Sequence, residues 1–274
     1  MSETDRTAAR IRTLLICHRG AIIHEDGLAR WLAAETELRG VLVIDEDRRV
    51  LARRARRQLR RVGLFRFFDV LAFRAYYQLV LRPEDKAYER GVVRKLADAY
   101  APVDASVPRL VVRSPNSADA VAFIQSCAPD LTLALCKNML KKSVFSIPRC
   151  GTFVLHPGIC PEYRNTHGCF WALARGDTAN VGMTMLRIDD GVDTGPIYGY
   201  FRGQFDELTE SHVRIQHRMT FDNLDTILAL IRHVVAGDAY PLDTTGRPTA
   251  TWGQPWLSSY LRWKRDARKR RTAA

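Results

Sequence analysis

The stretches Thr13-Leu-Leu-Ile-Cys17, Asp26-Gly-Leu-Ala-Arg-Trp-Leu-Ala-Ala-Glu35 and Val41-Leu-Val-Ile44 decide the fold. Two short apolar runs of strand length flank a segment with a helical pattern. Strand, helix, strand at this spacing predicts a parallel sheet with crossover helices. The fold class expected is α/β, a Rossmann-like, mostly parallel sheet with helices on both faces.

Downstream, Arg48 to Leu81 holds no strand pattern. Its arginines alternate with apolar residues at helical intervals, as in Leu59, Val62, Phe65, Phe68 and Phe73, which predicts one or two amphipathic helices with a break at Gly63. Such a helix either packs its apolar face on the sheet or lies on an anionic membrane surface, where aromatic residues and arginine suit the interface. A linker rich in charge and proline is expected over Arg82 to Pro108. The strand pattern resumes at Leu110 to Val112. A helix follows over Ser114 to Cys127, starting near Ser117 or Asn116, then a strand at Leu131 to Leu135, a short helix around Leu140 to Phe145, and a strand at Thr152 to Leu155. That strand runs into His156-Pro157-Gly158. Ligands of open parallel sheets bind outside the carboxyl ends of the strands, so His156 is placed for chemistry, although a histidine beside a turn is also a common structural group.

Toward the end, a helix is expected from about Leu208 to Ala236. A Gly/Pro-rich turn region precedes a basic helix over Leu257 to Arg271, with Trp252, Trp256, Tyr260 and Trp263 as its aromatic complement. The organisation read from this is an α/β unit over 1–205, with an Arg-rich helical insertion at about 48–82, and a C-terminal helix and basic tail over 206–274.

Composition excludes several classes. The 274 residues are 46% apolar and 26% charged, near the averages for globular proteins, so neither disorder nor a fibrous repeat is indicated. Six cysteines without paired spacing, and no signal peptide before the first apolar segment, read as a reduced cytoplasmic chain. Val62 to Leu81 is interrupted by Arg66, Asp69 and Arg74 and falls short of the roughly 18 uncharged residues of a spanning helix. The net charge of +12, dense in Arg48 to Arg61 and Arg262 to Arg271, points to an anionic neighbour: a phosphorylated substrate, nucleic acid or an acidic membrane face met peripherally. Nucleic acid is disfavoured, because no helix-turn-helix, zinc finger or aromatic platform is evident. A zinc site from His156-x3-Cys160 and His167-x-Cys169 is disfavoured as accidental spacing, so no metal is expected.

The stretch Gly151 to Tyr198 carries Cys150-Gly-Thr152, His156-Pro-Gly158, Pro161-Glu-Tyr-Arg164, Trp171-Ala-Leu173, Gly176-Asp177, Gly182-Met-Thr184 and Asp190-Gly-Val-Asp-Thr-Gly195 in order. A milder likeness extends upstream through Ser114-Pro-Asn-Ser117, Ala128-Pro-Asp-Leu131 and Asn138-Met-Leu140. Together these resemble the core of the folate-dependent formyltransferase family, which includes glycinamide ribonucleotide, methionyl-tRNA and nucleotide-sugar formyltransferases. The resemblance implies transfer of a formyl group from 10-formyltetrahydrofolate, as co-substrate, to a primary amine. It implies His156 and Asp193 as catalytic residues. It also implies a folate pocket between Lys137, Asn138, Met139 and Leu140 on one side and Asp190, Gly191, Val192 and Gly195 on the other.

The family's Asn-x-His pair is broken here, since the asparagine position holds Val154. An asparagine amide there would help the imidazolium stabilise the oxyanion formed when the amine attacks, and losing one such donor costs about a hundred- to a thousandfold. Asn138, Asn165 and His167 are the candidates to replace it, each with a turn or cap role as its plainer reading. Otherwise His156 and Asp193 act alone, or the chain binds folate without transferring a formyl group, or it hydrolyses the folate to formate. The acceptor expected is a small anionic amine, such as an amino sugar on a nucleotide or lipid carrier. A tRNA acceptor is disfavoured, because the tail looks too short for the extra β-barrel of methionyl-tRNA formyltransferases.

Overall fold

The computed structural model describes residues 10–46 and 63–273. The Arg-rich run Arg48 to Arg61, with Leu59 and Val62, lies outside them. The expected α/β sheet is present. Strand β1 (Arg12–His18) leads through a π-helical turn (Ile23–Leu28) into helix α1 (Ala29–Glu35) and strand β2 (Glu37–Ile44). Helix α2 (Leu64–Tyr76), a second π-helical turn (Tyr77–Leu81) and helix α3 (Arg82–Ala99) precede β3 (Arg109–Val112). Then come α4 (Ala118–Cys127), β4 (Leu131–Leu135), α5 (Lys142–Phe145) and β5 (Gly151–Pro157). The remainder is β6 (Arg164–Asn165), α6 (Gly168–Ala174), β7 (Met183–Arg187), β8 (Ile197–Phe201), α7 (His212–Phe221), α8 (Leu224–Ala236), β9 (Thr251–Trp252) and α9 (Leu257–Ala273).

The seven-stranded sheet has the order β3-β2-β1-β4-β5-β7-β8. Its first five strands are parallel, and β7 and β8 add an antiparallel edge. Successive residues of a strand face opposite sides, so a sheet covered on both faces reads as continuously apolar. Leu15, Cys17, Val41 and Val43 enter the larger core on one face, while Leu14, Ile16, Leu42 and Ile44 enter the smaller core on the other.

Three expectations are corrected. The linker over Arg82 to Pro108 is largely helix α3, because Pro83 stands in the first turn, where no N–H is needed, and Glu84 and Asp85 follow at the positive end. The helix expected over Leu208 to Ala236 is two helices, broken at Asp222 and Asn223. On α2, Val70 and Phe73 are buried, but Phe65 and Phe68 are 91% and 58% exposed, so the apolar face that packs is narrower than the helical spacing of apolar residues implies. Ser117, rather than Asn116, caps α4 by accepting from the Ala120 N–H at 3.3 Å. The basic helix α9 docks through Tyr260, Trp263 and Ala267, at helical spacing, and leaves Arg262, Arg265, Arg268 and Lys269 exposed.

Candidate active site

A cavity of about 660 Å³ opens at the carboxyl ends of β1, β4 and β5, within the span of small-molecule sites. The chain winds outward one way through β2 and β3 and the other way through β5, so the cavity sits where the strand order reverses, between β1 and β4.

Val154 and His156 are two apart on β5 and share a face of the sheet. The His156 side chain is buried, with Nε2 donating to the Tyr163 carbonyl at 2.8 Å and Nδ1 3.4 Å from Oδ2 of Asp193. Both neighbours are acceptors, so the Nε2 side of the ring is a donor to a carbonyl and the Nδ1 side faces a carboxylate. The loop that delivers the Tyr163 carbonyl depends on bare backbone. Gly158 has φ 147°, and a Cβ there would lie 2.7 Å from the Gly168 Cα and 2.8 Å from the Tyr163 oxygen. Thr184, opposite His156 on β7, donates to the Gly158 carbonyl at 2.6 Å and accepts from the Cys160 N–H at 3.1 Å.

Asp193 arrives on a loop closed by Asp189, whose Oδ1 accepts from the Gly191 N–H at 2.9 Å and the Thr194 hydroxyl at 2.8 Å. Asp193 has φ 50°, and its Oδ2 also accepts from the Asn165 N–H at 2.8 Å. Asn165 and His167 have φ 76° and 59°. Left-handed conformations in non-glycine residues cost on the order of 1–3 kcal/mol each and persist where surrounding bonds over-determine them. Three of them converge here on one cavity wall.

The bonds that hold this loop come from a segment with no recognisable motif. Strand β9 pairs with β6, placing Trp252 opposite Asn165, and the Asn165 amide donates to the Trp252 carbonyl at 2.6 Å. Trp252 stacks on Tyr163 at 5.6 Å and donates from its indole to the Glu162 carbonyl at 2.9 Å. Arg247 grips the Glu162 carboxylate with two hydrogen bonds of 2.9 and 2.7 Å. The tryptophans near the end were legible as aromatic excess; their partner was not.

Val154, Asn138, Asn165 and His167 all line the cavity. Val154 packs beside Cys160, Leu186 and Ile197, an apolar setting that suits a valine. His167 is held neutral, its pKa lowered to about 3 by burial and then by the charges of Lys137 and Arg74. Oδ1 of Asn138 is buried without a hydrogen-bond partner. Asn165 spends one amide hydrogen on Trp252 and keeps the other.

Lys137, Met139, Leu140, Gly191 and Val192 also line the cavity, whereas Asp190 and Gly195 do not. Gly195 has a packing role, since a side chain there would strike the Arg187 carbonyl. The Lys137 N–H donates to Nε2 of His18, and Asn116 brackets the loop by donating to the Met139 carbonyl at 2.9 Å and accepting from the Lys141 N–H at 2.8 Å. Sequence reasoning missed the far arm of the cavity, formed by His18, His24, Glu46, Gln216, His217 and Thr220. Among the described residues, no group of three or more His, Cys, Asp or Glu side chains is arranged to hold a metal ion, and no helix is long and apolar enough to cross a membrane.

Residues 75–230 match the model of the formyl transferase family. Over 140 residues the chain is 31% identical to methionyl-tRNA formyltransferase of Thermus thermophilus, covering 49% of this chain and 44% of that one. It is 27% identical over 176 residues to the Bacteroides fragilis enzyme, covering 57% and 54%. It thus spans about half the length of these curated relatives. Among solved structures, a 4-N formyltransferase from Francisella tularensis superposes with a TM-score of 0.53 at 8% identity, over 94% of this chain and 87% of that one. Glycinamide ribonucleotide transformylase 1 from Symbiobacterium toebii gives 0.51 at 15% identity, over 86% and 96%. The likeness to these two is one of fold. With more than half of its length matched by the family model, the chain belongs to the folate-dependent formyl transferase family.

Proposed function

We propose that this protein transfers the formyl group of 10-formyltetrahydrofolate to a primary amine on a small molecule, with His156 and Asp193 as catalytic residues. The observation that carries the reading is the His156–Asp193 pair at 3.4 Å, on a strained loop at the switch-point cavity. Attack of the amine on the formyl carbon puts negative charge on the formyl oxygen. His156, donating from Nδ1, stabilises that charge, and Asp193 compensates the imidazolium and organises the proton leaving the amine.

The donor lost at Val154 is supplied by the second amide hydrogen of Asn165, whose own backbone is bonded to Asp193. The folate ring lies against the apolar wall of Val154, Leu186 and Ile188, between the Lys137 to Leu140 loop and Asp189, Gly191, Val192 and Asp193, which line the same cavity. The acceptor is an amino sugar carried on a nucleotide, in keeping with the exposed basic residues and with formyltransferases of like fold named for sugars.

Calorimetric titration of the full chain with a non-hydrolysable 10-formyltetrahydrofolate analogue tests the reading. Micromolar binding is expected for the protein and for its His156→Ala and Asp193→Ala variants, with transfer lost only in the variants. An absence of binding would remove the case for folate chemistry.

A further inference from the structure

Transfer to a primary amine has a requirement that His156 does not meet. At neutral pH an alkyl amine is an ammonium, which has no lone pair to attack with. His156 stands between two acceptors and is therefore a donor in this geometry.

A second imidazole stands on the same cavity in the opposite situation. His217, on α7, lines the far arm with Gln216 and Thr220 from its own helix and with His24 from the π-helical turn after β1. Its Nε2 lies 3.5 Å from Oε1 of Glu89, which α3 carries in behind it. Apart from this contact, neither ring nitrogen of His217 makes a hydrogen bond among the described residues. A ring that keeps its Nε2–H toward this carboxylate has its lone pair on Nδ1 when it is neutral. An imidazole oriented from behind by a buried carboxylate is the arrangement that makes a general base.

The groups around the ring are consistent with this. Glu89 is buried and also accepts from Lys86; burial pushes its pKa up, but the hydrogen bonds it takes from His217 and Lys86 bring it down to about 2, so it stays ionised. Asp85, on the same face of α3, is pushed upward by burial against hydrogen bonds from Ser211 and Tyr77. His24, whose ring meets His217 edge-on at 6.2 Å, is kept neutral, its pKa lowered to about 3 above all by burial.

We propose that His217 is the general base that deprotonates the acceptor amine, and that Glu89 is its positioning residue. The proposal rests on the reading of the cavity as a formyl-transfer site. Nδ1 of His217 takes one proton from R–NH3⁺. The freed lone pair forms the bond to the formyl carbon, and the bond from that carbon to N10 of the folate breaks. A second proton passes from the former amine to N10, the third stays on the formamide nitrogen, and His217 releases its proton to solvent.

The test uses the full chain, 10-formyltetrahydrofolate and two minimal acceptors: methylamine, which is protonated at neutral pH, and hydroxylamine, which is largely not. His217→Gln should lose about 100- to 10,000-fold in rate with methylamine and far less with hydroxylamine, with Glu89→Gln between wild type and His217→Gln. Equal losses with both amines would overturn the proposal and leave His217 a structural residue. Independently of turnover, ¹⁵N NMR of the histidine rings should find the Nε2–H tautomer on His217, and the Nδ1–H tautomer would overturn the assignment. Calorimetry separates the two readings: folate binding with transfer indifferent to His217 sinks only the base, whereas no folate binding sinks the formyl-transfer reading beneath it.

Discussion

His156 and His217 each stand against a carboxylate on the wall of one cavity, yet they are made in opposite ways. The first pair is assembled by backbone. His156 ends a central strand, Asp193 sits in a left-handed turn, and Gly158 and Gly168 touch where no side chain would fit. The second pair is assembled by helix packing: Glu89 on α3 meets His217 on α7, with ordinary helical backbone on both sides. The first pair therefore depends on local backbone conformation at Asp193 and Gly158, and the second on how α3 and α7 pack.

The largest expected effect breaks the first pair. Asp193→Asn should lower transfer by about 100- to 10,000-fold without weakening binding of a folate analogue. If the pair acts as a unit, the double variant with His156→Ala should be hardly slower than the worse single variant, because the effects of groups acting together are not additive. Multiplying losses in a double-mutant cycle would show two independent contributions instead. Next comes the proposed replacement donor. Asn165→Gly removes the amide that also bonds the Trp252 carbonyl, so a loss of about 100- to 1,000-fold in rate is expected together with a small loss of thermal stability, offset in part by relief of the positive φ. A rate matching wild type would move the donor role to Asn138.

Two substitutions probe how strictly backbone sets the first pair. Gly158→Ala should destabilise by roughly 1–3 kcal/mol in denaturant unfolding, because the new methyl group would meet backbone on both sides. Val154→Asn places there the residue that the family resemblance implies, but sets its amide on a half-buried apolar wall beside Leu186 and Ile197. A stability loss of about 1–3 kcal/mol is expected, without a gain in turnover. A faster enzyme would show that the valine site had kept room for its old donor.

Legibility in sequence divides along the same line. The parallel strands could be read because both faces of the sheet are buried, which makes β1 and β2 continuously apolar, and the His156 and Asp193 loops because their geometry needs glycine and proline at fixed places. Helix α3 was misread as a linker because its outer face is charged and its first turn holds a proline. Without α3 as a helix, Glu89 had no reason to be buried, and His217 had no visible partner. Likewise, nothing local marks Arg247 and Trp252 as the buttress of residues 162–165; the contact exists only because β9 returns to β6.

The smallest expected effect lies in acid stability, where the two kinds of buried group begin to titrate at different pH. His24 and His167 are neutral in the fold, with pKa lowered from the usual 6.5 to about 3. Below pH 6.5 the unfolded chain binds protons that the folded chain refuses, so stability falls as pH drops from 6.5 toward 3. Glu89 is the reverse case in charge with the same direction of loss. Its folded pKa is about 2 against 4.5 for the free group, so its contribution is complete above 4.5 and disappears as pH falls toward 2. Thermal unfolding followed against pH should therefore begin to weaken near 6.5 and steepen below 4.5. His24→Gln should flatten the curve from 6.5 down to about 3, and Glu89→Gln only its lower part, below 4.5. If Glu89→Gln instead changed the slope above pH 5, the carboxylate would not be the ionised partner that His217 needs, and the two pairs would differ in chemistry as well as in construction.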